Sequence, residues 1–278
     1  MSGFSPEWLA LREAVDHRSR SSALESELAA HFAGRDEVTI TDIGCGTGSN
    51  LRATFTLLGP RQAWTLVDCD ARLLAAARAR LMRWADMVTA EAEALSIRKA
   101  GRTLSIAFRQ ADLARDLEQG LGAATDLVTA SAFFDLASAG FIGKLAAAVA
   151  RRRSAFYTVL TYNGIQRWTP PHAADAEMAR AFHAHQAGDK GLDGPAAGPD
   201  SPRQLRVAFQ GAGYRVSEGD SPWLLGASDR ALVASLAQGF AGAVREMRGV
   251  GATTIDAWSS VTRTGAEVGH TDTLALPV

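Results

Sequence analysis

The sequence predicts an α/β protein in which helices cover both faces of a mostly parallel β-sheet. Two observations predict this class. Between residues 37 and 162, short stretches rich in β-branched residues alternate with longer stretches rich in alanine and leucine. Glycine, proline and aspartate separate these stretches at short intervals. Strand–helix–strand units at this spacing require right-handed crossovers, which make the strands parallel.

The elements can be assigned in chain order. Apolar residues at three- and four-residue spacing predict two helices within residues 5–33. Five strands are then predicted, each followed by a helical or turn segment: EVTITDIG, AWTLVD, TLSIAFRQAD, DLVTAS and AFYTVLTY. The helix after the second strand is expected to be long, extending over DARLLAAARARLMRWADMVTAEAEA.

The regular alternation of predicted strands and helices ends after residue 163. Residues 172–187 predict an additional helix, and a glycine- and proline-rich loop, GDKGLDGPAAGPDSP, follows it. SPRQLRVAFQGAG then predicts a helix, and YRVSEGDSPWLL predicts a strand. Two more helices, near 228–248 and 252–263, precede a last extended segment, VGHTDTLALP.

Composition narrows the classes of function. The 29 basic and 30 acidic residues leave a formal net charge of −1, so no general positive field attracts nucleic acid. Two cysteines are too few for a disulfide framework or a four-thiolate zinc site. The amino terminus carries charges where a signal peptide needs an apolar core, and no stretch approaches the roughly 18 apolar residues of a membrane span. We therefore expect a cytoplasmic protein without a nucleic-acid or membrane partner.

A glycine-rich turn follows the first strand. Gly44, Gly46 and Gly48 form a G-x-G-x-G pattern at the carboxyl edge of the sheet, where open α/β folds bind ligands. Glycines there allow a sharp turn and the close approach of a ligand. A dinucleotide-binding turn would have its third glycine at position 49, which is Ser49 here. Asp42, just before the turn, would attract an α-ammonium group and repel a pyrophosphate, although such a carboxylate can also be a cap or a surface pair.

Two further acids stand at the ends of the next strands. Asp68 lies twenty residues beyond the last loop glycine, where a carboxylate can accept hydrogen bonds from both hydroxyls of a ribose. Asp112 follows the third strand and could accept the exocyclic amine of an adenine, with Leu113 beside it as an apolar contact. NAD and adenosylmethionine share these groups. Asp70 is expected to cap the following helix.

VTITDIGCGTGSN, LVDCDARLL, FRQADL and DLVTASAFFDL resemble the class I S-adenosylmethionine-dependent methyltransferases, in that order and over about residues 37–162. The resemblance implies a Rossmann-like, seven-stranded, mostly parallel sheet whose last strand is antiparallel. It implies S-adenosyl-L-methionine as the cofactor and S-adenosyl-L-homocysteine as the product. The cofactor-binding residues that it implies are Asp42, Gly44, Cys45, Gly46, Thr47, Gly48, Asn50, Asp68, Cys69, Asp112, Leu113 and Ser131.

We interpret the chain as a single methyltransferase domain over residues 1–278. Its parts are a helical cap, a cofactor-binding core, a lid-like insertion, and the C-terminal part of the sheet with a helical insertion, over residues 1–36, 37–162, 163–200 and 201–278. Asp189 and Lys190 lie in the glycine-flanked loop of the insertion and are either lid residues or solvated charges. Asp16, Arg18 and Arg20 of the cap could cover the cofactor, and nothing in the sequence favours one of them.

The acceptor is expected to bind above the carboxyl ends of the fourth and fifth strands. Asp135 and Tyr162 are the catalytic candidates, with helix capping and packing as their structural alternatives. A base is needed only if the acceptor must lose a proton. Trp168 could form an aromatic wall there, or it could be packing. His183 and His185 point about 200° apart on a helix, so no metal site is expected.

Balanced charge favours a small-molecule acceptor over nucleic acid. The fourth strand leads into SAFFD rather than the Asn/Asp-Pro-Pro-Tyr/Phe signature of amino-group methylases that act on DNA bases or glutamine. Three alternatives remain open: a nicotinamide-dependent oxidoreductase, a non-catalytic adenosylmethionine-binding protein and an RNA methyltransferase.

Overall fold

A computed structural model describes residues 4–91 and 93–278. Within these ranges the strands form one sheet, and β9 pairs only with β10. The strands are β1 (Glu37–Ile43), β2 (Arg61–Asp68), β3 (Met87–Glu91), β4 (Leu95–Lys99), β5 (Arg102–Gln110), β6 (Leu127–Ser131), β7 (Ala155–Thr169), β8 (Tyr214–Asp220), β9 (Trp223–Leu225) and β10 (Gly265–Pro277).

Helices pack on both faces of this sheet. One apolar core lies against α2, α3, α4, α7, α9 and α10, and the other against α6 and α8. The helices are α1 (Pro6–Arg18), α2 (Ser22–His31), α3 (Ser49–Thr54), α4 (Ala71–Trp84), α5 (Leu117–Leu121), α6 (Ala139–Arg152), α7 (Asp175–Gln186), α8 (Ser201–Gly211), α9 (Arg230–Glu246) and α10 (Ala252–Ser260).

The strand order is β3-β4-β5-β2-β1-β6-β7-β10-β8. The five central strands, β5 to β7, are parallel, and β10 lies antiparallel between β7 and β8. The predicted fold class, with its antiparallel last strand, is therefore confirmed, and within the described ranges β3, β4 and β9 are additional to the seven expected strands. YRVSEGDSPWLL supplies both β8 and the short β9.

The register of the central strands positions the site. β1 pairs with β2 from Glu37 opposite Arg61 to Ile43 opposite Val67, so both strands end at the same level. The glycine-rich turn after Ile43 and the carboxylate of Asp68 consequently lie at one edge of the sheet.

The predicted long helix after the second strand is wrong in its second half. α4 ends at Trp84, and the chain then forms the antiparallel β3–β4 hairpin, which pairs with β5. Leu95 and Ile97 alternate into the core, and the carboxylate of Asp86 closes the hairpin by accepting hydrogen bonds from Lys99 and from the amide of Ala100. Alanine and glutamate are abundant in this segment and favour a helix. They therefore obscured the two-residue alternation that is typical of a strand.

The fifth parallel strand is longer than predicted. β7 continues to Thr169, and its second half pairs with β10, so residues 163–169 belong to the sheet. Leu160 interrupts β7 with a left-handed backbone (φ 58°), and the Asp272 carboxylate accepts its amide at 2.7 Å. The helix predicted within the insertion is α7, and the glycine-rich loop follows it.

Candidate functional site

A cavity of about 890 Å³ opens at the carboxyl edge of the parallel strands. The glycine-rich turn, the ends of β2, β5 and β6, helix α1 and the loop at 190–192 all contribute to its walls. Ten of the predicted cofactor-binding residues line it: Gly44, Cys45, Gly46, Thr47, Asn50, Asp68, Cys69, Asp112, Leu113 and Ser131.

The turn itself requires glycine for two reasons. Gly44 has a φ of 61°, and a β-carbon at this position would lie 2.4 Å from the Phe133 ring. Gly46 has a φ of 53°, and a β-carbon there would lie 3.1 Å from Leu9 of α1. L-residues pay a steric cost in this left-handed region, so the turn brings bare backbone to the cavity wall.

Asp68 connects the turn to the end of β2. Its carboxylate accepts the Gly46 amide at 2.9 Å through one oxygen and the Asp70 amide at 3.0 Å through the other. Burial raises the pKa of Asp68, and these backbone hydrogen bonds oppose the rise. Each oxygen retains a lone pair that can accept a further hydrogen bond. Asp70 caps α4 through the amide of Arg72, as predicted.

The far wall of the cavity comes from the chain after β5. Asp112 is exposed and accepts the Ala114 amide at 3.1 Å, whereas Leu113 is buried. Gly120 lets Leu113 sit in place, since a β-carbon there would lie 2.4 Å from its side chain. An acceptor oxygen and an apolar surface therefore lie side by side, as an adenine ring would require.

Two of the predicted residues do not line the cavity, Gly48 and Asp42. Gly48, with a left-handed backbone, is the N-cap residue just before α3. Asp42 is fully buried behind the turn, and one of its oxygens accepts a hydrogen bond from Asn50 at 2.8 Å. Its other oxygen has no partner within the described ranges, and burial raises its pKa to about 7. Asp42 differs in this way from the expectation that it faces an ammonium group.

Asn50 reaches the cavity, but its side-chain groups are already used. Its amide nitrogen donates to Asp42 and, at 3.0 Å, to Thr129. Its oxygen accepts hydrogen bonds from Arg20 at 2.9 Å and Thr54 at 3.3 Å. Asn50 therefore supports the turn from below, and Arg20, one of the cap candidates, is part of that support.

Helix α1 lies over the turn. Its Glu13 carboxylate pairs with Arg52 at 2.7 Å and with Arg80 at 3.6 Å, and the Arg80 guanidinium also donates to the carbonyl of Pro6 at 2.9 Å. Arg12 and Asp16 of α1 line the cavity. Arg18, in contrast, is the last residue of α1 and pairs with Asp229.

The catalytic candidates lie close to one another but outside the lining of the cavity. Asp135 is half-buried by surface area but surrounded by protein, which raises its pKa to about 6, and the Arg12 charge opposes the rise. Burial raises the pKa of Tyr162, and the negative charge of Asp135 raises it further. The Tyr162 hydroxyl forms a 2.9 Å hydrogen bond with His183.

Sequence reasoning missed the histidine on β10. The ring of His270 lies 6.3 Å from that of Tyr162 and 5.3 Å from that of Trp223. Burial lowers the pKa of His270 to about 3, and its Nδ1 has no partner in the part of the chain that the structure describes. A lone histidine in a strand carries no local signal, because only strand pairing brings it to Tyr162.

Two other candidate residues take part in packing or in an ion pair: Trp168 and His185. Trp168 packs 5.2 Å from Trp258, ring to ring, within the core. His185 pairs with Glu246 at 3.0 Å, so it does not share a partner with His183. Over residues 4–91 and 93–278, no three histidine, cysteine, aspartate or glutamate residues form a group that could hold a metal ion.

The insertion reaches the cavity through one loop. Lys190, Gly191 and Leu192 line the cavity. The Leu192 carbonyl accepts the amide of Ser138 at 3.2 Å, which attaches this loop to the start of α6. None of the helices in the described ranges is long and apolar enough to cross a membrane.

No protein-family model and no curated protein matches the chain. Solved structures do match it. They include the cyclopropane synthase MmaA2 from Mycobacterium tuberculosis, with a TM-score of 0.54, 12% identity and coverage of 98% of this chain and 94% of that chain. A cyclopropane-fatty-acyl-phospholipid synthase-like protein from Lactobacillus casei ATCC 334 matches with a TM-score of 0.52 and 15% identity. The match covers 95% of this chain and 99% of that chain.

A Bacillus halodurans C-125 protein described as a methyltransferase gives a TM-score of 0.51 at 11% identity, over 92% of this chain and 100% of that chain. Likenesses at such identities concern the fold. The chain thus has the fold of the class I S-adenosylmethionine-dependent methyltransferases.

Proposed function

We propose that this protein is an S-adenosyl-L-methionine-dependent methyltransferase that acts on a small-molecule acceptor. One observation carries the proposal: the Asp68 carboxylate, held by the Gly46 amide, ends β2 beside a cavity lined by the glycine-rich turn. A carboxylate in this position suits the two hydroxyls of a ribose. The class I methyltransferase fold supports the same function.

The residues around the cavity fit this cofactor. Asp68 has spare lone pairs for the ribose, and Asp112 with Leu113 can hold the adenine. Gly44 has no β-carbon, which leaves room for the Phe133 ring, and both residues form the wall along which the amino-acid tail can lie. Cys45, Thr47, Cys69 and Ser131 form walls of the cavity. When bound, the cofactor supplies an electrophilic methyl group on a sulfonium sulfur.

The acceptor side is assigned to Asp135 and Tyr162. Asp135 is the base for an acceptor that must lose a proton, since a carboxyl with a pKa near 6 can take up a proton at neutral pH. Tyr162, held by His183, orients the acceptor through its hydroxyl group. Helix α1 and the 190–192 loop exclude water from the cofactor.

The cofactor assignment is tested by calorimetric titration of adenosylmethionine, adenosylhomocysteine and NADH into the protein. We expect the first two to bind and NADH not to bind. Asp68→Ala should weaken adenosylhomocysteine at least about tenfold, because hydrogen bonds to a charged group contribute about 1.5–3 kcal/mol. Asp36→Ala, at an exposed carboxylate far from the cavity, is the control. Binding of NADH alone would overturn the proposal in favour of an oxidoreductase.

The acceptor class is tested with methyl-tritiated adenosylmethionine and cell extracts divided into small-molecule, RNA and protein fractions. We expect label in the small-molecule fraction. For an acceptor that must lose a proton, Asp135→Asn should lower activity at least about a hundredfold, the lower range for general-base catalysis. Label in RNA would replace the small-molecule assignment. Cofactor binding without any labelled product would indicate a non-catalytic binding protein.

A further inference from the structure

Two oppositely charged side chains of α1 face the cavity one helical turn apart. Arg12 donates from Nε to Asp16 at 2.8 Å, and both residues line the cavity. The neighbouring residues of the helix fix its position. Leu9 packs over Gly46, and His17 is hydrogen-bonded to the backbone and hydroxyl oxygens of Ser49. The pair therefore lies at the end of the cavity that the glycine-rich turn forms.

The Arg12 guanidinium still has hydrogen-bonding groups to offer. Only its Nε has a hydrogen-bond partner among the described residues, so both terminal nitrogens remain available. Its position is set from the other side by Trp223, whose ring centre lies 4.7 Å from the guanidinium carbon. Two free N–H groups of a guanidinium match the two oxygens of a carboxylate.

Asp16 retains accepting capacity. One of its oxygens accepts from Arg12 and the other from the Trp223 indole at 3.1 Å, so each oxygen has a lone pair left. The side chain is held from two directions, which fixes its orientation at the cavity wall. A fixed carboxylate of this kind suits an ammonium group.

The residue that the sequence offers for an ammonium group does not line the cavity. Asp42 is fully buried and does not line the cavity, and its partner Asn50, which does line the cavity, has its polar groups satisfied. A zwitterionic amino-acid tail that enters over the turn would instead meet the two charges of α1.

We propose that Arg12 binds the α-carboxylate and Asp16 the α-ammonium of the amino-acid tail of adenosylmethionine. This inference rests on the proposed function. Recognition of the tail then comes from the amino-terminal helix rather than from the acid that precedes the glycine-rich turn, and it selects for a ligand that carries both charges.

The test compares two nucleosides in isothermal titration calorimetry. Adenosylhomocysteine carries the zwitterionic tail, whereas 5′-methylthioadenosine has the same nucleoside and a methylthio group in place of the tail. The variants are Arg12→Gln and Asp16→Asn. Arg18→Gln is the control, since Arg18 lies on the same helix, pairs with Asp229 and does not line the cavity.

We expect Arg12→Gln and Asp16→Asn each to weaken adenosylhomocysteine at least tenfold and to change methylthioadenosine less than twofold. Arg18→Gln should leave both ligands unchanged. Equal weakening of both nucleosides would overturn the inference, since the pair would then only hold the helix. Unchanged adenosylhomocysteine binding would also overturn it while leaving the proposed function intact. If the unmodified protein binds neither nucleoside, the proposed function and this inference fail together.

Discussion

Single residues constrain this site through backbone conformation as much as through charge. Gly44 combines a left-handed backbone with the ring of Phe133 directly above its α-carbon. Gly101, in the turn before β5, has a similar φ of 77°, but a β-carbon added there would meet no atom within 4 Å. The two glycines separate the cost of the left-handed conformation from the cost of displacing the Phe133 ring, which lines the cavity.

Gly44→Ala should therefore weaken adenosylhomocysteine binding more than about tenfold, and Gly101→Ala less than twofold. Gly101→Ala should lose about 1–2 kcal/mol of unfolding free energy, because it forces alanine into the left-handed region. Gly44→Ala should lose more, because its β-carbon would also lie 2.4 Å from the Phe133 ring. Calorimetry and urea unfolding measure the two quantities. Equal losses of affinity in the two variants would contradict our account of the turn.

Asp42 should make stability depend on pH. Its pKa of about 7 in the folded protein lies above the ordinary value of 3.8, so the unfolded carboxyl loses its proton first. The free energy of unfolding should then fall as the pH rises from about 4 to 7. Asp42→Asn should remove about 2 kcal/mol of this fall between pH 5 and pH 7.

Urea unfolding at pH 5, 6, 7 and 8 measures the pH dependence, with Asp36→Asn at an exposed carboxylate as the control. Parallel profiles for Asp42→Asn and the unmodified protein would show that the buried carboxyl does not titrate in this window.

At the scale of elements, charged contacts join α1 to the helices beside the turn. Glu13 pairs with Arg52 and Arg80, which lie on α3 and α4. Glu13→Gln should loosen this attachment and raise hydrogen exchange several-fold in residues 6–18. Glu246→Gln, which alters an exposed pair with His185, is the control.

Exchange is measured by mass spectrometry with and without adenosylhomocysteine. If α1 binds the tail of the cofactor, the ligand should slow exchange in this helix for both the unmodified protein and the variant. Unaltered exchange in Glu13→Gln would mean that the ion pairs of Glu13 do not hold α1 in place.

At the scale of the whole molecule, Asp272 joins three parts of the chain. Its buried carboxylate accepts the amide of Ser21 at 2.9 Å, the amide of Leu160 at 2.7 Å and the hydroxyl of Ser221 at 2.5 Å. These groups lie before α2, within β7 and between β8 and β9. Asp272 thereby connects the helical cap to the strands that carry Tyr162 and His270.

Asp272→Ala should lower the free energy of unfolding by more than about 3 kcal/mol, because it leaves several buried donors without an acceptor. Asp256→Ala, which removes an exposed pair with Arg245, should cost less than about 1 kcal/mol. Urea denaturation compares the two variants. A similar small loss in both would mean that water replaces the carboxylate without penalty.

The local pattern of the sequence determined the order of strands and helices in the core, the glycine-rich turn and the strand-end acids Asp68 and Asp112. These features can be predicted from the sequence because neighbouring residues create them. Periodicity, glycine placement and strand ends do not depend on distant parts of the chain. The β3–β4 hairpin was not predicted because its alanine content resembles that of the preceding helix.

Only the tertiary structure decided that Asp42 is buried, that α1 covers the turn, and that Tyr162, His183 and His270 lie together. Each of these facts depends on contacts between residues far apart in the chain, such as Tyr162 and His270 on paired strands. Such contacts cannot be predicted from the local sequence, because they arise when the strands pair and the helices pack on the sheet.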